Sequence, residues 1–160
     1  MLLNLLEILP PQHARSMAGV SPPSRRNGPQ PLARRNILLV EHRDEVFARL
    51  AADLTKVGLR VERAVCATSA SRACARSPVE LVVANVDLPD ESGWLLTAKL
   101  RLVSATPRIW LYALGPLPDA VAMAEYVGAD GLIAYDGDLN RLSAAIVSRV
   151  SVLPAERLGA

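Results

Sequence analysis

The chain has 160 residues, 51% apolar and 21% charged, which is enough for one domain with a buried core and too apolar for a disordered chain. Its formal net charge of +2 is unevenly spread. Residues 1–36 hold Arg15, Arg25, Arg26, Arg34 and Arg35 against Glu7 alone, a net +4, and leave −2 for the remainder, so the domain itself is not basic.

Six of the twelve prolines fall in the same first 36 positions, which predicts a basic tail over 1–35, a domain over 36–152 and a short tail over 153–160. The opening MLLNLLEILPPQ lacks a basic start, carries Glu7 inside its apolar run and meets paired prolines, all of which argue against a secretory signal. Two readings of it stay open. One is a short amphipathic helix of Leu2, Leu3, Leu5, Leu6 and Leu9 ahead of a linker; the other is upstream sequence translated from a wrongly chosen start. The tail arginines are scattered among Pro, Ser and Gly with no aromatic residue for stacking, so a linker is expected and a nucleic-acid partner is not. No apolar stretch approaches the roughly 20 residues that span a bilayer, so no membrane partner is expected. Cys66 and Cys74, if on one helix, lie about 12 Å apart, too far for a disulfide. With no CxxC pair or histidine cluster beside them, they read as reduced structural residues of a cytoplasmic protein.

From Asn36 onward, short branched runs alternate with stretches of helical apolar spacing. Ile37 to Val40 reads as a strand covered on both faces, and Val46, Leu50, Leu54 and Val57 mark a helix that begins near Asp44 and closes at Gly58. Leu59 to Val65 is a more exposed strand. Thr68 or Ser69 then caps a small-residue helix ending before Pro78. Glu80 to Val86 is the third strand, Leu88 to Ser92 a loop, and Trp94 to Val103 a helix ended by Ser104 to Pro107. Arg108 to Ala113 forms a fourth strand, with a helix from about Asp119 to Val127 stopped by Gly128. Gly131 to Ala134 is the fifth strand, and Asp138 caps a last helix carrying Leu142, Ile146, Val147 and Val150. Trp94 and Trp110 read as core residues. Five such units predict an α/β fold, a doubly wound parallel sheet of five strands, because parallel strands need crossover helices.

In an open parallel sheet the functional groups gather at the carboxyl ends of the strands. Those ends carry Glu41 and His42, Asn85 and Asp87, Tyr112, and Tyr135 with Asp136. Over roughly residues 35 to 150 the chain resembles the receiver domain of two-component response regulators. NILLVEHRDEV resembles the first strand with its acidic pair, ELVVANVDLPDESGW the acceptor strand with its loop residues Pro89 and Gly93, and YVGADGLIAY the approach to the fifth strand. The resemblance implies a flavodoxin-like (β/α)5 fold and a place in phosphorelay signalling.

The family forms an acyl phosphate on an aspartate, with magnesium held by two acids, a hydroxyl residue at the fourth strand and a lysine at the fifth. Carried over by position, the acceptor becomes Asn85, the acid pair Glu41 and His42, the hydroxyl Tyr112 and the lysine Tyr135. Only Glu41 keeps its chemical type. An amide is a poor nucleophile, one carboxylate beside an imidazole is a weak magnesium cage, and no cation remains to pair with a phosphoryl group. The expectation is a pseudo-receiver, not an enzyme, without a cofactor and with magnesium binding weak or absent.

Sharper readings exist for the same residues. Asp87 is a candidate surrogate acceptor, though a solvated loop acid or a partner for Arg43 is the plainer reading. Glu41, His42 and Asp87 suit a zinc-like ion by type, but neighbouring side chains 41 and 42 diverge, so no metal site is expected. Tyr112, Tyr135 and Asn85 form a possible small-ligand pocket. The plainer expectation is that the two rings fill it, with hydroxyls toward water or Asn85. What remains is a stand-alone interaction module working without phosphate. The resemblance implies a protein partner or a homodimer on the face of the fourth helix, fifth strand and fifth helix, among Met123, Tyr126, Asn140, Arg141 and Arg149.

Overall fold

The structure, a computed structural model, describes residues 35–103 and 107–152. The two expected tails, apart from Arg35, lie outside the described residues. Five strands, β1 (Asn36–Val40), β2 (Arg60–Ala64), β3 (Leu81–Asn85), β4 (Arg108–Leu114) and β5 (Gly131–Tyr135), form one sheet in the order β2-β1-β3-β4-β5. Every pairing is parallel, as crossover connections require. The connections are α1 (Asp44–Lys56), α2 (Ala67–Arg76), α3 (Gly93–Arg101) and α4 (Ala120–Val127), and α5 (Leu139–Ser151) follows β5.

Strand parity divides the core into two layers. Ile37, Leu39, Leu81, Val83, Tyr112, Ile133 and Tyr135 point to one face, where Val46, Leu50 and Leu54 of α1 and Leu142, Ile146 and Val150 of α5 cover them. Leu38, Val40, Val82, Ala84, Ile109 and Leu111 point to the other, against Ala67, Ala70 and Ala73 of α2 and Leu96 and Leu100 of α3. Alanine at the three buried α2 positions lets that helix lie close to the sheet. Across the first layer α1 and α5 are also joined by polar contacts: Ser143 Oγ donates to Asp53 at 2.8 Å, and Arg49 donates to Asn140.

Several local features differ from the sequence expectation. The cap of α2 is Cys66, not Thr68 or Ser69: its Sγ accepts from the Ser69 backbone N–H, and the Ser69 hydroxyl accepts from the Cys66 N–H. A second acceptor comes from far along the chain. The Asp90 carboxylate takes the Ala67 and Thr68 backbone N–H groups at 2.9 Å each and the Thr68 hydroxyl at 2.8 Å, tying the β3–α3 loop to the start of α2. The fourth strand runs one residue further than expected, to Leu114. Both tryptophans are half-buried, not fully enclosed, and Trp110 lies under the Arg149 guanidinium at 4.8 Å.

Gly93 sets how near α3 comes to the sheet. A Cβ there would stand 2.5 Å from the Asn85 carbonyl oxygen and 3.0 Å from Val86 Cα, and the Gly93 N–H donates to Val86 O at 2.8 Å. Backbone cannot yield as a flexible side chain does. Gly93→Ala is therefore expected to destabilise the domain by about 1–3 kcal/mol, read as a lower urea midpoint. An unchanged midpoint would mean that α3 moves freely.

Candidate functional site

Glu41 follows β1 directly and its side chain is fully enclosed, 0% exposed. A carboxylate out of water needs donors and a countercharge, and the surrounding strand ends supply both. Oε1 accepts from the Arg43 backbone N–H at 2.8 Å and from Arg43 Nε at 3.0 Å. Oε2 accepts from Arg43 Nη2 at 3.0 Å, from Asn85 Nδ2 at 3.1 Å and from the Tyr112 hydroxyl at 2.6 Å. Arg43 Nη2 also donates to the Tyr135 hydroxyl at 3.3 Å. From β2, Arg63 donates to the Glu41 and His42 carbonyls at 3.1 and 3.0 Å. The β3 and β4 ends thus reach the Glu41 carboxylate directly, β5 reaches it through Arg43, and β2 holds the backbone beside it.

Burial pushes the Glu41 pKa up, but the Arg43 hydrogen bonds and charge and the Tyr112 hydroxyl outweigh it and hold the group below its ordinary value. Arg43 moves the other way, raised by its bonds to Glu41. Burial, then the Glu41 charge, pushes Tyr112 well above the ordinary phenol value, so it stays a neutral donor.

Asn85 ends β3, 4% exposed, with both halves of its amide engaged. Nδ2 donates to Glu41 while Oδ1 accepts the Asp87 backbone N–H at 3.0 Å. An amide can do both; a carboxylate could only accept. Asp87 itself is exposed, and the cation expected to pair with it, Arg43, pairs with Glu41. The Tyr112 hydroxyl, expected toward water or Asn85, points to Glu41. The rings of Tyr112 and Tyr135 are buried and meet edge to face, centroids 6.2 Å apart, filling the space between the strand ends. Tyr112→Phe deletes a buried hydrogen bond to a charged acceptor, so a loss of about 1.5–3 kcal/mol is expected. Equilibrium unfolding measures it, and a neutral result would place that hydroxyl outside the network.

Magnesium, which the resemblance implies, does not fit these residues. A hard cation binds through carboxylate lone pairs, and those of Glu41 are spent on five donors, with a guanidinium already alongside. His42 is partly exposed, with its Nδ1 3.5 Å from Glu41 Oε1. Among the described residues no three His, Cys, Asp or Glu side chains gather as a metal cage, so Glu41, His42 and Asp87 do not form one. No helix among them is long and apolar enough to cross a membrane.

No protein-family model and no curated protein matches the sequence. Solved structures do match. A response regulator structure from Chloroflexus aurantiacus is 20% identical with a TM-score of 0.66, covering 75% of this chain and 99% of that one. The chain has the receiver fold. A chemotaxis response regulator of Vibrio cholerae is 18% identical, TM-score 0.66, covering 74% and 99%. The receiver domain of a signal transduction histidine kinase from Syntrophus aciditrophicus is 22% identical, TM-score 0.63, covering 78% and 98%.

On this receiver fold the five residues expected at the outer face take different places. Met123 and Tyr126 stand open on α4, Tyr126 being 88% exposed. Asn140 accepts from Arg49, Arg141 pairs with Asp136 at 2.8 Å, and Arg149 donates to Leu132 O at 3.4 Å while covering Trp110. Leu114 at the end of β4, Leu117 in the turn after it and Val121 of α4 are open apolar residues beside Met123 and Tyr126, while Leu95, Leu102 and Val103 are open on and just after α3. Sequence reading missed Leu114, Leu117 and Val121, and it missed the pairing of Arg43 with Glu41. The signal for Arg43 was present: a cation two residues beyond the one acid at a covered strand's end.

Proposed function

We propose that the chain is a signalling module of the two-component kind that works by binding, not by catalysis: it takes no phosphoryl group and engages a protein partner or a second copy of itself. One observation carries the reading. At the end of β3, where the resembled family has its acceptor aspartate, stands a buried amide whose nitrogen is committed to Glu41 and whose oxygen is committed to the backbone of Asp87. An amide offers no anionic nucleophile. With no phosphate to bias it, the conformational equilibrium shifts only when a partner prefers one state. The apolar surface of α4, beside the edge strand β5, is the contact face on this reading, with Val121 and Tyr126 its most open apolar residues. The setting is cytoplasmic.

Incubation with acetyl phosphate and magnesium, followed by intact mass measurement, tests the reading. No phosphoryl gain is expected. A gain that disappears in Asp87→Ala would overturn it in favour of the surrogate acceptor.

A further inference from the structure

We propose that Arg43 is the resident cation of the strand-end site, an internal counter-ion that fastens the five strand ends through Glu41 and closes the pocket to divalent metal. The inference deepens the proposed function at the same site, and rests on that reading only for its meaning in signalling; its test can fail while the phosphodonor test succeeds.

The geometry makes the case. Arg43 reaches both oxygens of an enclosed carboxylate with Nε and Nη2 at 3.0 Å each, a fork matched to carboxylate shape. Its own backbone N–H completes the grip at 2.8 Å, so the bend between β1 and α1 is held by the same residue that supplies the charge. Nη2 continues to Tyr135, which links that bend to the end of the edge strand β5. Tyr112 and Asn85 bring in β4 and β3 through Oε2, and Arg63 brings in β2 through the Glu41 carbonyl. The enclosed Glu41 carboxylate is therefore matched by the Arg43 guanidinium, with both of its oxygens engaged. A divalent ion would have to expel the guanidinium and break its two side-chain bonds to Glu41 before binding that carboxylate. The guanidinium side chain is 34% exposed, so it can leave to solvent once its partner is gone. The pocket is plugged from the inside, and any input must arrive at the outer surface.

Mn2+ is the probe, because its free-ion EPR signal falls on binding. Full-length wild type is expected to leave millimolar Mn2+ free and to melt at the same temperature with or without it. Arg43→Met is expected to melt about 10 °C lower, to take up Mn2+ only weakly, at millimolar concentration, through the one carboxylate left without its counter-ion, and to regain a small part of the loss in its presence, as binding to the folded state alone requires. The double variant Glu41→Gln/Arg43→Met removes both charges, so it should melt above Arg43→Met and bind no Mn2+. The proposal is overturned if wild type binds Mn2+ or is stabilised by it, or if Arg43→Met keeps the wild-type melting temperature or takes up no metal. If Arg43→Met does not fold, the double variant decides: folding supports the charge pairing, and failure to fold overturns it.

Discussion

Glu41→Ala is expected to lower the melting temperature by about 15 °C, a loss on the scale of a fully buried aliphatic truncation to alanine. The substitution removes the acceptor that Asn85 Nδ2 and the Tyr112 hydroxyl share, and both donors are buried. A buried donor left without a partner costs about 1–3 kcal/mol. Arg43 partly escapes, because its side chain already touches solvent. Together these terms come to about 3–5 kcal/mol, and a domain of this size loses roughly 3–5 °C per kcal/mol. Glu41→Gln keeps an acceptor for one donor and is expected to lose less. Circular-dichroism melts with urea titration check both: the midpoint should fall with the slope unchanged. A wild-type midpoint in Glu41→Ala would mean that the strand ends are held by packing alone.

The fold was legible because its signals are local and redundant. Continuous apolar runs at 37–40 and 81–84, short and rich in branched residues, suit strands covered on both faces, and the helical spacing of Val46, Leu50 and Leu54 reads directly onto the α1 face buried in the structure. The site was legible by position but not by bonding. Reading strand ends placed Glu41, Asn85, Tyr112 and Tyr135 together, since the parallel register of β1, β3, β4 and β5 brings their carboxyl ends to one edge. What escaped was how they pair. The sequence leaves Asp87 either a solvated acid or a partner for Arg43, and the structure takes the first, because an enclosed carboxylate two residues away has far more to gain from a guanidinium than an exposed one does. The choice depends on burial, and Glu41 is enclosed among strand ends as distant in sequence as Tyr112, 71 residues further along the chain. Asp90 shows the same limit. Its role at the start of α2 rests on a contact across 23 residues, whereas Cys66 could have been found from its spacing to Ser69 had sulfur been weighed as a cap.

Asn85→Asp is expected to destabilise the protein in a pH-dependent way whose sign is opposite to that of the wild type. In the wild type, Glu41, Asp53, Asp90 and Asp136 all have pKa values lowered in the folded state. Their contribution is present above the unfolded-state values near 4 and is lost as the pH falls through the folded ones. A carboxyl group at position 85 behaves in reverse. It would replace an N–H donor that lies 3.1 Å from Glu41 Oε2, in a site only 4% exposed, so burial and the like charge both raise its pKa. Protonated, it can still donate to Glu41. The variant should therefore approach wild-type stability near pH 4.5 and fall away as the pH rises through the raised value, with a deficit of about 1.4 kcal/mol for each unit by which that value exceeds the unfolded one. Urea unfolding from pH 4.5 to 8 measures the gap between the two proteins. A constant gap would mean that the new carboxylate stays ionised throughout, which requires Arg43 to turn from Glu41 toward position 85. A gap that widens with pH keeps Arg43 on Glu41 and makes the amide at 85 a requirement of the site: the neutral group that can sit beside a buried carboxylate and still give it a hydrogen bond.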